Sequence, residues 1–221
     1  VINKNLNNIS CDTVLMVSTD KACEPVNVYG MCKSISERVV TSQASYYDSK
    51  RIKFIGTRYG NVLDSRGSII PLFKYQAKNN DCITITDDRM TRFVMTLDES
   101  VKLIIDAINI AKSGEILIPK LKAMKIKDLA QIYANISKKP VKTIGIRPGE
   151  KIDEKLICKA ESLRVKNIGE YYLLRPAHEK IEDGNVNIFD YTSSDDILTA
   201  DSLSKYLDSL GHLDLNFDKH P

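Results

Sequence analysis

The first part of the chain alternates between strand-like and helix-like hydrophobic patterns. Residues 13–17 form a continuous apolar run that ends in the polar residues 18–21, as buried parallel strands do. Apolar residues recur at helical spacing over 28–46, and residues 51–57 form a second β-rich run. Strand, helix and strand of these lengths predict a parallel sheet covered by helices.

Beyond residue 58 the pattern becomes irregular and its elements shorten, which indicates a smaller α+β lobe. Loops at the carboxyl ends of parallel strands are where ligands bind. The spacing predicts helices at 69–78, 98–111, 125–136 and 200–210, strands at 82–86, 115–118 and 141–146, a turn at 147–151 leading into another helix, and an irregular segment at 178–196.

Composition narrows the function class. The 221 residues are 43% hydrophobic, and their formal charge of +3 is too small and dispersed for a nucleic-acid surface, although it suits a small anionic ligand. No apolar run approaches the roughly 20 residues that span a bilayer. The cysteines show no close pairing of the metal-ligand kind, so we predict no metal site and reduced thiols in a cytoplasmic protein. They are Cys11, Cys23, Cys32, Cys82 and Cys158.

Two side-chain pairs can perform acid–base chemistry. Tyr29 and Lys33 are four apart on a predicted helix, where the ammonium group can stabilise a phenolate base below the usual tyrosine pKa of about 10. By spacing statistics alone, an ordinary helix surface is the more frequent explanation. Asp20 and Lys21 offer an acid beside a base at a strand end, where we expect an irregular loop because a regular strand would separate them. The alternative is a surface ion pair.

Together the motifs resemble the nucleotide-sugar 4,6-dehydratases of the extended short-chain dehydrogenase class, and most closely the inverting UDP-N-acetylglucosamine 4,6-dehydratases. Tyr29 favours the inverting enzymes, because membrane-bound retaining relatives and capsule-type enzymes often carry methionine there. The matching segments are 18–22, Pro25, Tyr29-Gly30, Lys33, 58–62, 65–68, 85–87, 89–93 and 146–151.

The resemblance implies the C-terminal part of a Rossmann-type doubly wound parallel sheet. Residues 1–80 would belong to the NADP-binding domain, and 81–221 mainly to a substrate-binding lobe, with some segments returning to the sheet. It also implies a UDP-sugar substrate and a homo-oligomer. The implied catalytic residues are Asp20, Lys21 and Tyr29, those near NADP are Ser18, Tyr29 and Lys33, and those binding substrate are Lys21, Asn61, Ile69, Arg92, Arg147 and Glu150.

Two departures from the family pattern limit the prediction. No Gly-x-x-Gly-x-x-Gly loop for the dinucleotide pyrophosphate occurs in the sequence, so we expect the first third of a family member to be absent and this fragment alone to be inactive. Asp64 places a carboxylate where the family more often has a small residue. The alternatives are a catalytically incomplete UDP-sugar-binding remnant and a nucleotide-sugar epimerase, although a simple 4-epimerase needs neither Asp20 nor Lys21 for elimination.

Overall fold

The computed structural model describes residues 11–46, 52–65, 67–179 and 187–215. The strands are β1 (Thr13–Thr19), β2 (Lys53–Tyr59), β3 (Asn61–Val62), β4 (Ile83–Ile85), β5 (Thr91–Met95), β6 (Ile116–Pro119), β7 (Ala123–Lys125), β8 (Val141–Thr143), β9 (Lys155–Ile157), β10 (Val165–Ile168), β11 (Tyr171–Leu174) and β12 (Tyr191–Thr192). The helices are α1 (Val28–Ser42), α2 (Ile69–Asn79), α3 (Leu97–Ile110), α4 (Ile126–Ser137), α5 (Lys159–Ser162) and α6 (Ala200–Ser209), with 3₁₀ turns at Asp20–Ala22 and Gln43–Ser45.

The chain forms two compact units and passes between them several times. The first unit comprises Val1–Tyr59, Asp98–Lys120 and Lys155–Tyr191. The second comprises Gly60–Leu97, Leu121–Glu154 and Thr192–Pro221. Ser18, Asp20, Lys21, Tyr29 and Lys33 all belong to the first unit, whereas the candidate substrate-binding residues other than Lys21 belong to the second.

A five-stranded sheet in the order β1-β2-β6-β11-β10 forms the centre of the first unit. The first three strands are parallel neighbours, and β11 and β10 continue the sheet in antiparallel pairing. β1 and β2 pair in register from Thr13–Lys53 to Thr19–Tyr59, so both strands end at the same edge. Helix α1 packs on these two strands, where Val14 and Val40 contact the buried residues Ile52 and Phe54. The parallel part is the Rossmann-type α/β sheet that the sequence predicted.

The second unit has a separate core between short strands and helices. β3, β5 and β7 form one sheet, and β4 pairs with β8 in parallel. Helices α2, α4 and α6 supply the apolar layer, because each has one face of regularly spaced apolar residues. Phe73 and Tyr133 meet edge to face at 6.2 Å between ring centroids, and Leu129 and Leu203 are fully buried beside them. This core fixes the positions of Asn61, Arg92 and the start of α2.

Some sequence predictions were wrong. The predicted strand at 141–146 ends at Thr143, and strand β9, rather than a helix, follows the turn at 147–151. The segment at 178–196, predicted to be irregular, contains β12, and strands β5, β7, β10 and β11 were not predicted. These strands have two to five residues, too few for a readable hydrophobic period, and apart from the β10–β11 hairpin they pair with strands far away in the chain. Within the described ranges, no helix is both long enough and apolar enough to span a membrane.

Candidate active site

The 3₁₀ turn Asp20–Ala22 begins where β1 ends and presents the two predicted elimination residues. The Thr19 side chain caps this turn by accepting from the Lys21 backbone N–H at 3.4 Å. Asp20 is only 1% exposed, and its Oδ1 accepts from Thr19 Oγ1 at 2.8 Å and from Lys21 Nζ at 3.0 Å. The buried Asp20 Oδ2 has no hydrogen-bond partner among the described residues. The irregular geometry expected for Asp20 and Lys21 is therefore present, and their ion pair is not an exposed one.

Helix α1 starts close against this turn because of two residues. Asn27 caps the helix, since its Oδ1 accepts from the Gly30 backbone N–H at 2.9 Å. A Cβ atom on Gly30 would lie 2.2 Å from the Lys21 carbonyl oxygen, which is inside any permitted contact distance. Only glycine therefore allows the first turn of α1 to approach the backbone of Lys21 this closely.

Tyr29 and Lys33 stand on the same side of α1, as their spacing predicted. The Lys33 ammonium lies 5.9 Å from the centroid of the Tyr29 ring. Its Nζ also donates to the Val17 carbonyl oxygen at 3.0 Å, which fixes the end of the lysine side chain against β1. Tyr29 is 54% exposed, so its ring is accessible to a ligand. The arrangement places a cation beside an accessible phenol ring.

A dinucleotide would find suitable groups beside these residues. Ser18, at the end of β1, is buried, and its Oγ has no hydrogen-bond partner among the described residues. The neighbouring Val17 carbonyl holds the Lys33 ammonium group. An unpaired hydroxyl, a fixed ammonium and an exposed phenol can together bind ribose hydroxyls and an amide, so the residues present are compatible with a nicotinamide nucleotide.

A buried ion network behind α1 was missed in the sequence. Arg58 is 2% exposed, and its Nε and Nη2 donate to the two carboxylate oxygens of Glu37 at 2.9 and 2.7 Å. Its Nη1 and Nη2 donate to Glu161 at 2.8 and 2.7 Å, and Nη1 also donates to the Leu156 carbonyl at 2.8 Å. Hydrogen bonding from Arg58 lowers the pKa of Glu161 to about 2 despite burial. The network joins β2, α1 and α5, and a charged residue within the buried β2 pattern was its only sequence signal.

In the second unit, the donors of Arg92 contact the backbone. Nη1 donates to the carbonyl oxygens of Thr91 at 2.6 Å and Ile152 at 2.9 Å, and Nη2 donates to that of Lys151 at 3.0 Å. Nε lies 3.8 Å from a carboxylate oxygen of Glu154. Arg92 therefore ties β5 to the segment after the turn at 147–151, and its role as a diphosphate ligand stays a prediction.

The start of α2 has polar groups suited to an anion. Ser68 precedes Ile69 as the N-cap, yet its side chain makes no capping hydrogen bond, and its buried Oγ has no partner in the described parts of the chain. Asn61 lies on β3, and its buried Oδ1 likewise lacks a described partner. The first backbone N–H groups of a helix attract anions, so the predicted site at Ile69 has a matching local structure.

Arg147 and Glu150 form a small turn, in which the Arg147 backbone N–H donates to Glu150 Oε2 at 3.1 Å and the Glu150 N–H donates to the Arg147 carbonyl at 3.1 Å. The Arg147 side chain is exposed. Asp64, the departure from the family pattern, lies with Oδ2 3.4 Å from Nδ1 of His212. Its carboxylate is thus directed at an imidazole within the second unit.

The chain is similar in sequence to a family of known proteins. The family described as polysaccharide biosynthesis protein matches residues 2–176. The chain belongs to this family. One relative is the inverting UDP-N-acetylglucosamine 4,6-dehydratase of Campylobacter jejuni. The two sequences are 40% identical over 77% of this chain and 51% of the length of that enzyme. Another is an uncharacterized membrane protein of Methanocaldococcus jannaschii, 38% identical over 90% of this chain and 62% of its own.

The solved structure of Pen from Bacillus thuringiensis superimposes on this chain with a TM-score of 0.87. The two sequences are 31% identical, and the match covers 97% of this chain and 67% of that one. The chain thus spans about half to three-fifths of the length of the curated relatives it matches. The family membership and the Rossmann-type fold inferred from the ordered motifs are confirmed.

Proposed function

We propose that this chain carries the acid–base residues and the sugar-nucleotide contacts of an NADP-dependent 4,6-dehydratase. The substrate is UDP-N-acetylglucosamine, and inversion at carbon five gives a UDP-4-keto-6-deoxy-hexosamine. The observation that carries the proposal is the buried Asp20, bonded to Lys21 on a turn that the Tyr29 helix touches through Gly30. The choice of sugar nucleotide is supported by the similarity to the Campylobacter jejuni enzyme.

Tyr29 acts first, as the base for the 4-hydroxyl group of the sugar. Its phenol is exposed on α1, and the Lys33 ammonium lies 5.9 Å from its ring centroid. Removal of the hydroxyl proton allows a ketone to form at carbon four. The ketone acidifies the hydrogen at carbon five, which prepares the elimination.

Asp20 and Lys21 perform the elimination together. A base requires a neutral amine and an acid requires a protonated carboxyl group, and one proton moved across their 3.0 Å hydrogen bond supplies both. Lys21 then takes the proton from carbon five, and Asp20 gives its proton to the departing 6-hydroxyl group, which leaves as water. The proton that Asp20 gives is the one that its Oδ1 receives from Lys21 Nζ. Reprotonation of carbon five from the opposite face gives the inverted product.

Ser18, Tyr29 and Lys33 would hold the cofactor. The chemistry that NADP supplies when bound is hydride transfer from carbon four and its return to carbon six. The serine hydroxyl and the lysine ammonium contribute donors, and the Val17 carbonyl keeps that ammonium in place. Because the sequence contains no glycine-rich pyrophosphate loop, we propose that turnover requires such a segment in addition to these 221 residues.

The second unit supplies the proposed contacts to the UDP moiety. Asn61 and the backbone N–H groups at Ile69 suit phosphate oxygens, Arg147 is exposed for ion pairing, and Glu150 can accept from ribose hydroxyls. Arg92 can bind the diphosphate as well only if its guanidinium gives up its present hydrogen bonds to backbone carbonyls. Lys21 contributes from the first unit to sugar binding.

Assembly and location complete the proposal. A cytoplasmic homo-oligomer is supported by two observations. No disulfide bond joins the cysteines among the described residues, which agrees with a reducing compartment. Apolar side chains at helical spacing are about half exposed or more along α1, which is unusual for a monomer surface. They are Val28, Met31, Ile35 and Val39.

The test is an assay of protein that includes a glycine-rich cofactor segment, with UDP-N-acetylglucosamine as substrate. The expected product is lighter than the substrate by one water molecule and carries a 4-ketone. When the reaction is run in D₂O, it also contains deuterium at an inverted carbon five. Tyr29→Phe should lower kcat by about 10²- to 10⁴-fold, because it impairs the step that forms the 4-ketone. Asp20→Asn should block loss of water by a similar factor while carbon four is still oxidised. Tyr75→Phe, at an exposed tyrosine of the second unit, is the matched control.

Other outcomes separate the alternatives. An epimer of unchanged mass would show a 4-epimerase and contradict the roles given to Asp20 and Lys21. Binding of UDP with no turnover, in protein that retains NADP and its fold, would show a sugar-nucleotide-binding remnant instead. Retention of configuration at carbon five would refute the inverting assignment alone.

A further inference from the structure

Three potential metal ligands meet behind the catalytic turn, and none has a part in the proposed reaction. Cys23 ends the 3₁₀ turn that carries Asp20 and Lys21, Cys158 immediately precedes α5, and Glu161 lies within α5. The two sulfur atoms and a carboxylate oxygen of Glu161 all lie within 4.8 Å of one another. Cys23 is buried, whereas Cys158 and Glu161 are partly exposed, so the group can be reached from the surface.

We propose that Cys23, Cys158 and Glu161 form a binding site for a thiophilic divalent cation such as Zn²⁺, with water as the fourth ligand. The proposal does not depend on the dehydratase activity. The sequence alone predicted no metal site, because the two cysteines lie far apart in the chain.

The distances agree with tetrahedral coordination. Zinc binds thiolate sulfur at about 2.3 Å and carboxylate oxygen at about 2.0–2.2 Å, so the two ligand atoms of such a site lie about 3.5 Å apart. The distance from Cys23 Sγ to Glu161 Oε2 is 3.5 Å. Two thiolates on one zinc ion lie about 3.8 Å apart. Because Cys158 Sγ lies no more than 4.8 Å from Cys23 Sγ, it needs to move by about 1 Å at most to bind the same ion.

The charges around the cluster also suit a cation. Arg58 pairs with both Glu37 and Glu161, so one guanidinium faces two carboxylates. Two of the three ligand atoms are thiol sulfurs, which lose their protons when they bind a cation. A divalent cation that displaces the two thiol protons leaves the local net charge unchanged. Because two of the three ligands are sulfur atoms, the site favours soft cations that bind thiolate strongly.

Glu161 is already oriented for this role by an outer shell of hydrogen bonds. Arg58 donates to its two oxygens at 2.7 and 2.8 Å, and the Cys158 backbone N–H donates to Oε2 at 3.3 Å. Hydrogen-bonded carboxylates of this kind are typical of metal sites. The Cys23 backbone N–H donates to the Asp20 carbonyl at 3.3 Å, so a bound cation would connect the catalytic turn to α5.

The experiment is a Co²⁺ titration of the reduced full chain, followed by its absorption spectrum. We expect a thiolate-to-cobalt charge-transfer band that saturates at one cobalt per chain and disappears when Zn²⁺ is added. The band should weaken as the pH falls, because the thiols must lose their protons to bind. Cys23→Ser and Cys158→Ser should each abolish this band.

Controls use the other cysteines. Cys82→Ser, at a partly exposed residue of the second unit, and Cys32→Ser, at an exposed residue of α1, should leave the band unchanged. Circular dichroism checks that each variant is folded. If Cys23→Ser fails to fold, the partly exposed Cys158→Ser and Glu161→Gln decide the question. The absence of a band in the wild type, or a band that survives in folded Cys158→Ser, would overturn the proposal.

Discussion

Replacing Arg58 with methionine should destabilise the first unit by about 3–5 kcal/mol near neutral pH. Methionine fills a similar volume but provides none of the five N–H donors. Glu37 and Glu161 would then lose the guanidinium that pairs with both of them, and the Leu156 carbonyl would lose the 2.8 Å bond from Arg58. Removing one member of a buried ion group is costly because the remaining charges stay desolvated.

The pKa of Glu161 gives a second route to the magnitude. Its pKa is lowered from 4.5 to about 2, and each tenfold change in proton affinity corresponds to about 1.4 kcal/mol. This net lowering corresponds to about 3 kcal/mol of stability at neutral pH, in which hydrogen bonds from Arg58, the Cys158 backbone N–H and Cys23 outweigh the cost of burial. Because the pKa is lower in the folded state, this stability is present above pH 4.5 and is lost as the pH falls through about 2.

The assay is urea denaturation followed by circular dichroism at several pH values. The difference between wild type and Arg58→Met should be largest near neutral pH and should shrink as the pH falls, because the desolvated carboxylates of the variant take up protons at a higher pH than those of the wild type. Lys102→Met is the control in the same unit, since Lys102 is exposed and pairs with Asp106 at 2.9 Å. Its denaturation midpoint should remain unchanged.

A loss of less than about 1 kcal/mol in Arg58→Met would refute the reasoning, since it would show that the two carboxylates gain solvent or neutralise without cost. A loss that does not vary with pH would also contradict it. In that case the methionine would act through packing alone.

Three further predictions concern local contacts. Gly30→Ala should lower the free energy of unfolding by about 1–3 kcal/mol and disturb the Lys21 turn, because its Cβ would lie 2.2 Å from the Lys21 carbonyl oxygen. Denaturation measures the first effect and kcat the second. An unchanged kcat would contradict this prediction. Asn27→Ala should cost ~1 kcal/mol of unfolding free energy through loss of the α1 cap, and Asn27→Ser should restore most of it. Tyr133→Phe should cost about 1 kcal/mol, since the buried hydroxyl donates to a backbone carbonyl at 2.8 Å, whereas the exposed Tyr75→Phe should cost nothing measurable.

The sequence by itself determined the elements whose information is local. Strand β1, helix α1 and helix α3 have apolar residues at regular spacing, and the structure has them within a few residues of the prediction. The family was equally accessible, because its motifs occur in order along one chain. The placement of Tyr29 and Lys33 on one side of α1 also followed from spacing alone, since a helix brings residues four apart to the same face.

Only the tertiary structure decided which distant residues meet. The partners of Arg58 come from α1 and α5, and the carbonyls that Arg92 binds belong to a segment about sixty residues later in the chain. No hydrophobic period records such pairs, because a buried cation needs counter-charges near it in space and not in sequence. The same is true of Cys23 and Cys158, which the sequence separates and the fold of the first unit brings together.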